Sequence, residues 1–188
     1  MNSELILVVD RTVEDLGYSK GEEIEWVGQR ICFRESAYRQ VFEALSNMIR
    51  NSIDHSFGSD ISGVISIEST VFNNGVVQIR YYDNGKGLAM NRLRQIALDK
   101  STLRDLKSNQ KVAELIFSKG TSTASKIKAI SGRSLGTKAA QALFVELGGG
   151  IEIRLTKPEE INGFQKIEFI ITFRHDLALN YPAFEYAA

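Results

Sequence analysis

The sequence of 188 residues has little of what marks a secreted or membrane protein. It contains one cysteine, Cys32, so no disulfide can form within the chain, which fits a reducing compartment. The longest purely apolar run, Leu5 to Val9, is far shorter than the ~20 residues that span a bilayer. No basic segment precedes that run, as one would in a signal peptide. We therefore expect a soluble, cytoplasmic protein without membrane insertion.

Proline is also scarce, with only Pro158 and Pro182, and neither repeats nor low-complexity segments are visible. Hydrophobic residues make up 43% and charged residues 24%, which is typical of a globular protein rather than a disordered one. We expect one domain over residues 1–188, with a core from about residue 5 to residue 173 and a C-terminal tail over 174–188.

The net charge is zero, but the charge is unevenly distributed. The segment from Lys100 to Lys138 contains nine Lys or Arg residues and only two acidic residues, Asp105 and Glu114. Its net charge is therefore +7, and the rest of the chain carries −7. Such a segment is typical either of a site for an anionic ligand or of a solvated face. Phe117 is its one aromatic residue, which argues against a nucleic-acid partner, since stacking on bases needs aromatic side chains.

Apolar residues at helical spacing predict helices, and alternating apolar residues predict strands. The predicted helices cover residues 5–16, 36–55, 90–98, 110–117 and 136–147, and the predicted strands cover 23–27, 30–33, 64–72, 76–82, 151–156 and 164–173. Asn73-Asn74-Gly75 predicts a hairpin, and Gly148-Gly149-Gly150 ends the last helix. The predicted class is a two-layer α/β sandwich with helices on one face of a mostly antiparallel sheet.

Polar residues form a stripe on the helix predicted over residues 36–55. Asn47, Asn51, Asp54 and His55 follow a spacing of i, i+4, i+7 and i+8, opposite the apolar stripe. A plain solvated face would show the same pattern. Asparagine is nevertheless a poor residue inside helices, and its amide oxygen suits Mg²⁺ beside phosphate oxygens.

Three further segments combine glycine or small residues with polar groups. Asp83-Asn84-Gly85-Lys86-Gly87-Leu88 follows a strand, where it is either an ordinary turn or a place for close approach of a ligand. Phe117 to Ala124 is a hydroxyl-rich connection. Ser131 to Lys138 leads into a helix, either as a plain helix start or as a site where backbone N–H groups bind an anion.

In this order the motifs resemble those of the GHKL (Bergerat) ATPases, and most closely the ATP-binding domain of the CheA class of histidine kinases. Asn51 to His55 resembles N-A-I-D-H, and Asp83 to Leu88 resembles D-D-G-R-G-[IL]. Phe117 to Ala124 resembles F-x-P-G-F-S-T, and Ser131 to Gly136 resembles S-G-R-G-V-G. The resemblance extends from about residue 5 to residue 173 and implies a Bergerat-type sandwich with an ATP lid.

The resemblance also implies roles for individual residues. Asn51 would hold Mg²⁺, Asp83 would accept a hydrogen bond from the adenine amino group, and the +7 segment would form the lid over ATP. Gly85 and Gly87 would let the base approach. The implied ATP-binding residues are Arg50, Asn51, Asp54, His55, Asp83, Gly85, Gly87, Leu88, Arg92, Ser122, Thr123, Gly132, Ser134, Leu135, Gly136 and Thr137.

Three positions depart from the family pattern. Asn47, the candidate catalytic position, replaces the His of CheA kinases and the Glu of many relatives, and an amide cannot accept a proton as a general base. Ser134 replaces the middle glycine of the last motif, and Lys119 and Thr121 replace the Pro and Phe of the lid. These departures favour ATP binding over rapid catalysis.

The sequence offers no clear phosphoacceptor. Of its two histidines, His55 lies in the predicted nucleotide helix, whereas His175-Asp176-Leu177 has the H-D-L of a dimer-type kinase in an unusual place. We therefore expect a histidine supplied in trans by another domain or protein. Two alternatives stay open: a non-catalytic ATP-sensing module and a serine kinase of the anti-sigma-factor type.

Overall fold

The computed structural model describes residues 3–4, 24–28, 31–33, 35–57, 63–72, 74, 76–99, 108–118, 137–157, 159–174 and 178–180. Several predictions fall outside these ranges: the helix over 5–16, most of the basic segment, and His175. Six predicted ATP-binding residues do so as well, namely Ser122, Thr123, Gly132, Ser134, Leu135 and Gly136.

The described helices agree with the sequence prediction apart from their ends. They are α1 (Glu35–Asn51), α2 (Met90–Asp99), α3 (Asn109–Glu114) and α4 (Thr137–Glu146); α3 continues as a 3₁₀ turn over Leu115–Phe117. Among the described residues, no helix is long and apolar enough to cross a membrane. The C-terminal end of α4 is a Schellman motif, as its glycines predict. Gly148 has a φ of 68° and its N–H donates to the Val145 carbonyl, while the Gly149 N–H donates to that of Phe144.

The strands also follow the predicted order, with short additional strands at both ends and at Leu88–Ala89. They are β1 (Ser3–Glu4), β2 (Ile24–Gly28), β3 (Ile31–Phe33), β4 (Ile65–Val71), β5 (Val76–Asp83), β6 (Leu88–Ala89), β7 (Gly150–Leu155), β8 (Phe164–Gln165), β9 (Ile167–Arg174) and β10 (Ala178–Asn180). The main sheet has the order β2-β4-β5-β9-β7, in which β2 and β4 are parallel and the other pairs are antiparallel. β4 and β5 form the predicted hairpin.

The helices lie on one face of this sheet, which confirms the predicted two-layer α/β sandwich. Ile67, Ile79 and Ile171 point from neighbouring strands into a core that α1 and α4 complete. A second cluster joins α2 and α3 to Leu88 and Ile153. On the other face, Arg80 of β5 bonds Glu68 of β4 at 2.5 Å and Glu168 of β9 at 2.7 Å, which links three adjacent strands.

The prediction of one continuous strand over residues 164–173 is wrong. Residues 164–173 form two strands with a break at Lys166, because Phe164 and Gln165 pair with β6 while Ile167 onward joins the main sheet. The Gln165 side chain is fully buried and donates to the Lys157 carbonyl, which holds this segment away from the sheet. The break brings β8 against the glycine-containing loop after β5.

Candidate functional site

The end of α1 and the end of β5 meet at Ser52. The Ser52 hydroxyl donates to Oδ2 of Asp83 at 2.7 Å and lies 2.8 Å from the phenol oxygen of Tyr81. Ser52 also begins a π-helical turn over Ser52–Ser56, so the α-helix predicted to reach His55 ends at Asn51. Asn51 and Asp83 belong to separate sequence motifs. Ser52 links them, because it follows Asn51 directly and its hydroxyl donates to Asp83.

Asp83 is held at both of its carboxylate oxygens. Oδ2 accepts the Ser52 hydroxyl, and Oδ1 accepts the N–H of Gly85 at 3.0 Å. The loop that follows is fixed on its other side by Val64, whose N–H donates to Oδ1 of Asn84 at 2.8 Å and whose carbonyl accepts the Asn84 N–H at 3.0 Å. The half-buried carboxylate thus has a defined orientation at the end of the central strand.

The two glycines of this loop are needed by the fold itself. A Cβ on Gly85 would lie 2.5 Å from the carbonyl oxygen of Ser56, which accepts the Lys86 N–H at 3.0 Å. Gly87 has a φ of 89°, and a Cβ there would lie 2.4 Å from the carbonyl oxygen of Gln165. Both glycines let the loop pack against other segments, and their predicted role of admitting a base stays a prediction.

Sequence reasoning missed Lys166. Its ammonium donates to the carbonyl oxygen of Asn84 at 2.9 Å and to that of Gly85, so a cation braces the loop between Asp83 and Gly87. Lys86 of the same loop lies over the Phe164 ring, 5.5 Å from its centre. In the sequence, the alternation of apolar residues that marks β9 begins just after Lys166. That alternation was the one available signal that Lys166 lies outside the strand.

Asn47 is buried rather than part of a solvated face. Only 8% of the residue is exposed. Its Nδ2 donates to the Glu43 carbonyl at 2.8 Å. Among the described residues, the amide oxygen makes no corresponding bond. The polar stripe therefore runs from a buried Asn47 to an exposed His55 at the end of the π turn.

The described structure places the other predicted site residues on several elements. Arg50 and Asn51 are half-buried at the end of α1, and the backbone of Asp54 lies in the π turn. Arg92 is half-buried on α2, and Thr137 is the first residue of α4. Leu88 packs in the second core cluster with 8% of the residue exposed.

Tyr81 is the most strongly perturbed titratable group at this corner. Burial raises the pKa of its phenol well above the ordinary value, although the hydrogen bond to Ser52 opposes that rise. The nearby negative charge of Asp83 adds to the increase in pKa. The phenol therefore keeps its proton at any pH at which the protein is handled.

The donor set fits a magnesium ion that arrives with a nucleotide. In the part of the chain that the structure describes, no group of three or more His, Cys, Asp or Glu side chains could hold a metal by itself. Mg²⁺ commonly takes one or two protein ligands, with phosphate oxygens and waters completing its octahedron. The neutral amide oxygen of Asn51 is suited to that arrangement.

A cavity of about 350 Å³ lies elsewhere, beside the edge strand β7. It is lined by Gln110, Glu114, Phe117, Gln141, Ile151, Glu152 and Ile153. None of the predicted ATP-binding residues belongs to this set, so the cavity is not the predicted site.

Comparison with known families identifies the family to which this chain belongs. The family described as histidine kinase-, DNA gyrase B-, and HSP90-like ATPase matches residues 37–177. The chain belongs to this ATPase family. The matched residues include most of α1 and the loop after β5, so the contact between Ser52 and Asp83 lies within the family domain.

Relatives of this ATPase domain include chemotaxis kinases. The chain is 28% identical to chemotaxis protein CheA of Salmonella typhimurium over 156 residues, covering 77% of this chain and 23% of that protein. It is 30% identical to sensor histidine kinase CheAY of Helicobacter pylori over 158 residues, covering 76% of this chain and 20% of that protein. The gliding motility regulatory protein of Myxococcus xanthus is 28% identical over 158 residues, covering 76% of this chain and 20% of that protein. The chain therefore spans about a fifth to a quarter of the length of these relatives.

Solved structures support the fold of the ATPase domain. The mycobacterial sensor histidine kinase MprB superposes with a TM-score of 0.62 at 14% identity, covering 96% of this chain and 99% of that one. Full-length ShkA, solved in complex with AMPPNP, gives a TM-score of 0.57 at 17% identity, covering 97% of this chain and 32% of that one. The fold predicted from the sequence is thus that of histidine kinase ATPase domains.

Proposed function

We propose that this chain is the ATP-binding domain of a CheA-like histidine kinase, which binds ATP with Mg²⁺ and transfers the terminal phosphoryl group to a histidine on another domain or protein. The observation that carries the proposal is the bond between Ser52 and Asp83. It joins the helix end that carries Asn51 to an ionisable carboxylate held at both oxygens.

Each wall of this corner has a task in binding. Asp83 accepts a hydrogen bond from the adenine amino group, since a carboxylate is an acceptor on both oxygens. Asn51 supplies an oxygen for Mg²⁺, which neutralises the phosphates and orients them. Arg50 and His55 line the same wall of the pocket, Arg92 is a candidate contact of the triphosphate, and Thr137 starts the helix whose N-terminal N–H groups favour an anion.

The basic segment covers the bound nucleotide in this proposal. Ser122, Thr123 and residues 132–136 close over the phosphates, and the +7 charge of the segment opposes the roughly four negative charges of ATP. The acceptor histidine comes from another domain or protein, and the CheA-like relatives, which are four to five times longer than the matched region, have room for such a domain.

A second candidate is a nucleotide-sensing module with little turnover. The observation that favours it is Asn47, a buried amide whose nitrogen is committed to the Glu43 carbonyl. An amide at this position can hydrogen-bond to a water or a phosphate oxygen but cannot take a proton from the attacking group.

Titration calorimetry with ATP and ADP in the presence of Mg²⁺ tests binding, and radiolabelled ATP with candidate acceptor domains tests transfer. We expect heat of binding in the first measurement and labelled acceptor histidine in the second. No heat at protein concentrations well above micromolar would reject the proposal. Binding without label on any acceptor would favour the sensing module, and label on serine would favour the anti-sigma-factor type.

A further inference from the structure

We propose that Ser52 is a positioning residue for base recognition, whose hydroxyl proton fixes the Asp83 carboxylate in the orientation that reads an exocyclic amino group. The inference rests on the proposed ATP binding and adds to it a determinant of base specificity. It concerns three side chains, Tyr81, Ser52 and Asp83, which form one chain of hydrogen bonds.

The direction of this chain follows from counting protons. An ionised carboxylate accepts hydrogen bonds and donates none. Oδ2 of Asp83 lies 2.7 Å from the Ser52 oxygen, so the single hydroxyl proton of Ser52 must point at Oδ2. Tyr81 keeps its proton because burial raises the pKa of the phenol. That proton must then point at the Ser52 oxygen, 2.8 Å away, and the order of donation is Tyr81 to Ser52 to Asp83.

This order fixes the carboxylate without occupying it fully. Among the described residues, each oxygen of Asp83 accepts one hydrogen bond, from Gly85 N–H or from Ser52, which leaves a further lone pair for a ligand. An amino group can donate to that lone pair, whereas a carbonyl at the same place would face it with lone pairs of its own. Without the Ser52 proton, only the 3.0 Å bond from Gly85 would hold the carboxylate plane.

The arrangement is a property of this sequence. The N-A-I-D-H motif that Asn51 to His55 resembles has alanine where this chain has Ser52. The resemblance therefore implies no hydroxyl at this position, and no hydrogen bond from this position to the carboxylate. Recognition of the base in this chain consequently depends on a contact between the turn after α1 and the end of β5 that the motif lacks.

The test compares ATP with inosine triphosphate, which has a carbonyl where adenine has its amino group. Calorimetry with Mg²⁺ gives the ratio of the two affinities for the native chain and for four variants: Ser52→Ala, Ser52→Thr, Ser52→Cys and Tyr81→Phe. Ser66→Ala is the matched control, because Ser66 is a buried serine on β4, on the face opposite the helices.

We expect Ser52→Ala to lower the preference for ATP by roughly tenfold, the effect of losing one hydrogen bond to a charged group. Ser52→Cys should lower it as well, because a thiol is a weak donor. Ser52→Thr retains the hydroxyl and should keep the native ratio. Tyr81→Phe should cost stability but keep the ratio, since Ser52 still donates to Asp83, and Ser66→Ala should leave the ratio unchanged.

A native ratio in Ser52→Ala, or in Ser52→Cys where the alanine variant does not fold, would overturn the inference and leave Ser52 a purely structural residue. An equal fall of both affinities would overturn it too. A native chain that binds neither nucleotide would instead reject the proposed ATP binding, so the two failures are distinguishable.

Discussion

Gly87 and Gln165 approach so closely that no side chain fits between them. Gly87 has a φ of 89°, and the carbonyl oxygen of Gln165 lies 2.4 Å from the place where its Cβ would stand. β6, which begins at Leu88, is paired with β8 at this point. The contact joins the loop after Asp83 to the segment before β9.

Gly87→Ala should therefore destabilise the fold by at least about 2 kcal/mol, since alanine adds both a left-handed strain and an overlap with backbone. Urea unfolding measures the loss. Gly150→Ala is the matched control, because its Cβ would meet only Oγ1 of Thr172 at 3.7 Å and should change the free energy of unfolding by no more than about 1 kcal/mol. Equal unfolding midpoints for the two variants would contradict the structural role of Gly87.

Asp83 should determine base selectivity. Asp83→Asn keeps the size of the side chain but places an amide nitrogen toward one of its donors, so we expect ATP binding to weaken by about 1–3 kcal/mol. Asp83→Ala should lose at least as much, and GTP should bind the native chain poorly because it offers a carbonyl to the carboxylate. Equal affinities for ATP and GTP, measured by calorimetry, would show that Asp83 only shapes its turn.

Asn47 is the position at which turnover should respond to mutation. Asn47→His restores a proton acceptor, and general-base catalysis is typically worth 10²–10⁴-fold, so hydrolysis or transfer should rise with little change in ATP affinity. Asn47→Gln is the control, since it keeps an amide and adds no base. The gain should be larger together with Ser134→Gly, which restores the family glycine beside the phosphates.

Turnover by the native chain at the rate of a typical kinase, together with slower turnover in Asn47→His, would refute this interpretation of Asn47. Single-turnover rates with labelled ATP separate the chemical step from nucleotide affinity. Because Asn47 is buried, the unfolding midpoint of each variant should be measured beside its rate.

Stability should depend on pH through Glu160. The hydrogen bonds from Arg94 lower the pKa of the Glu160 carboxyl, so its contribution is present at neutral pH and is lost as the pH falls through the lowered value. Glu160→Gln should cost about 1 kcal/mol at pH 7 and nothing at a pH below the lowered pKa of this carboxyl, which lies under the ordinary glutamate value of about 4.3. Urea unfolding at both pH values measures this.

The neighbouring Glu159 provides the control for that measurement. It is exposed, and none of the ion pairs among the described residues involves it, so Glu159→Gln should show no such pH dependence. A cost of Glu160→Gln that persists unchanged at low pH would mean that the carboxylate charge is not what stabilises this region.

The sequence correctly predicted the elements that are determined by residues close together in the chain. Alternating Ile and Phe residues place β9 correctly, and the Gly148 region ends α4 because a left-handed residue is needed there. The motifs also predict Asn51 and Asp83 for one site, and the structure joins Ser52, which follows Asn51, to Asp83. These features depend on spacing of a few residues, which a sequence displays directly.

The features that sequence reasoning missed depend on distant partners. The π turn after Asn51 accompanies a bond from Ser52 to a residue on another strand, and the break at Lys166 follows the contacts of Gln165. The burial of Asn47 depends on how α1 packs in the folded chain, which the helical stripe of the sequence does not reveal.

The position of β5 in the centre of the sheet has a consequence for folding kinetics. Its partner β9 lies far along the chain, with Arg80 opposite Ile170, so this pairing closes a loop of about ninety residues. Loops of that length form slowly, since their entropic cost precedes the contacts that offset it. Asp83, at the end of the same strand, is held by its pairing with Ile65 of β4 and by Ser52, so a nascent chain should acquire the carboxylate end of the site with the β4–β5 hairpin, before the long loop to β9 closes.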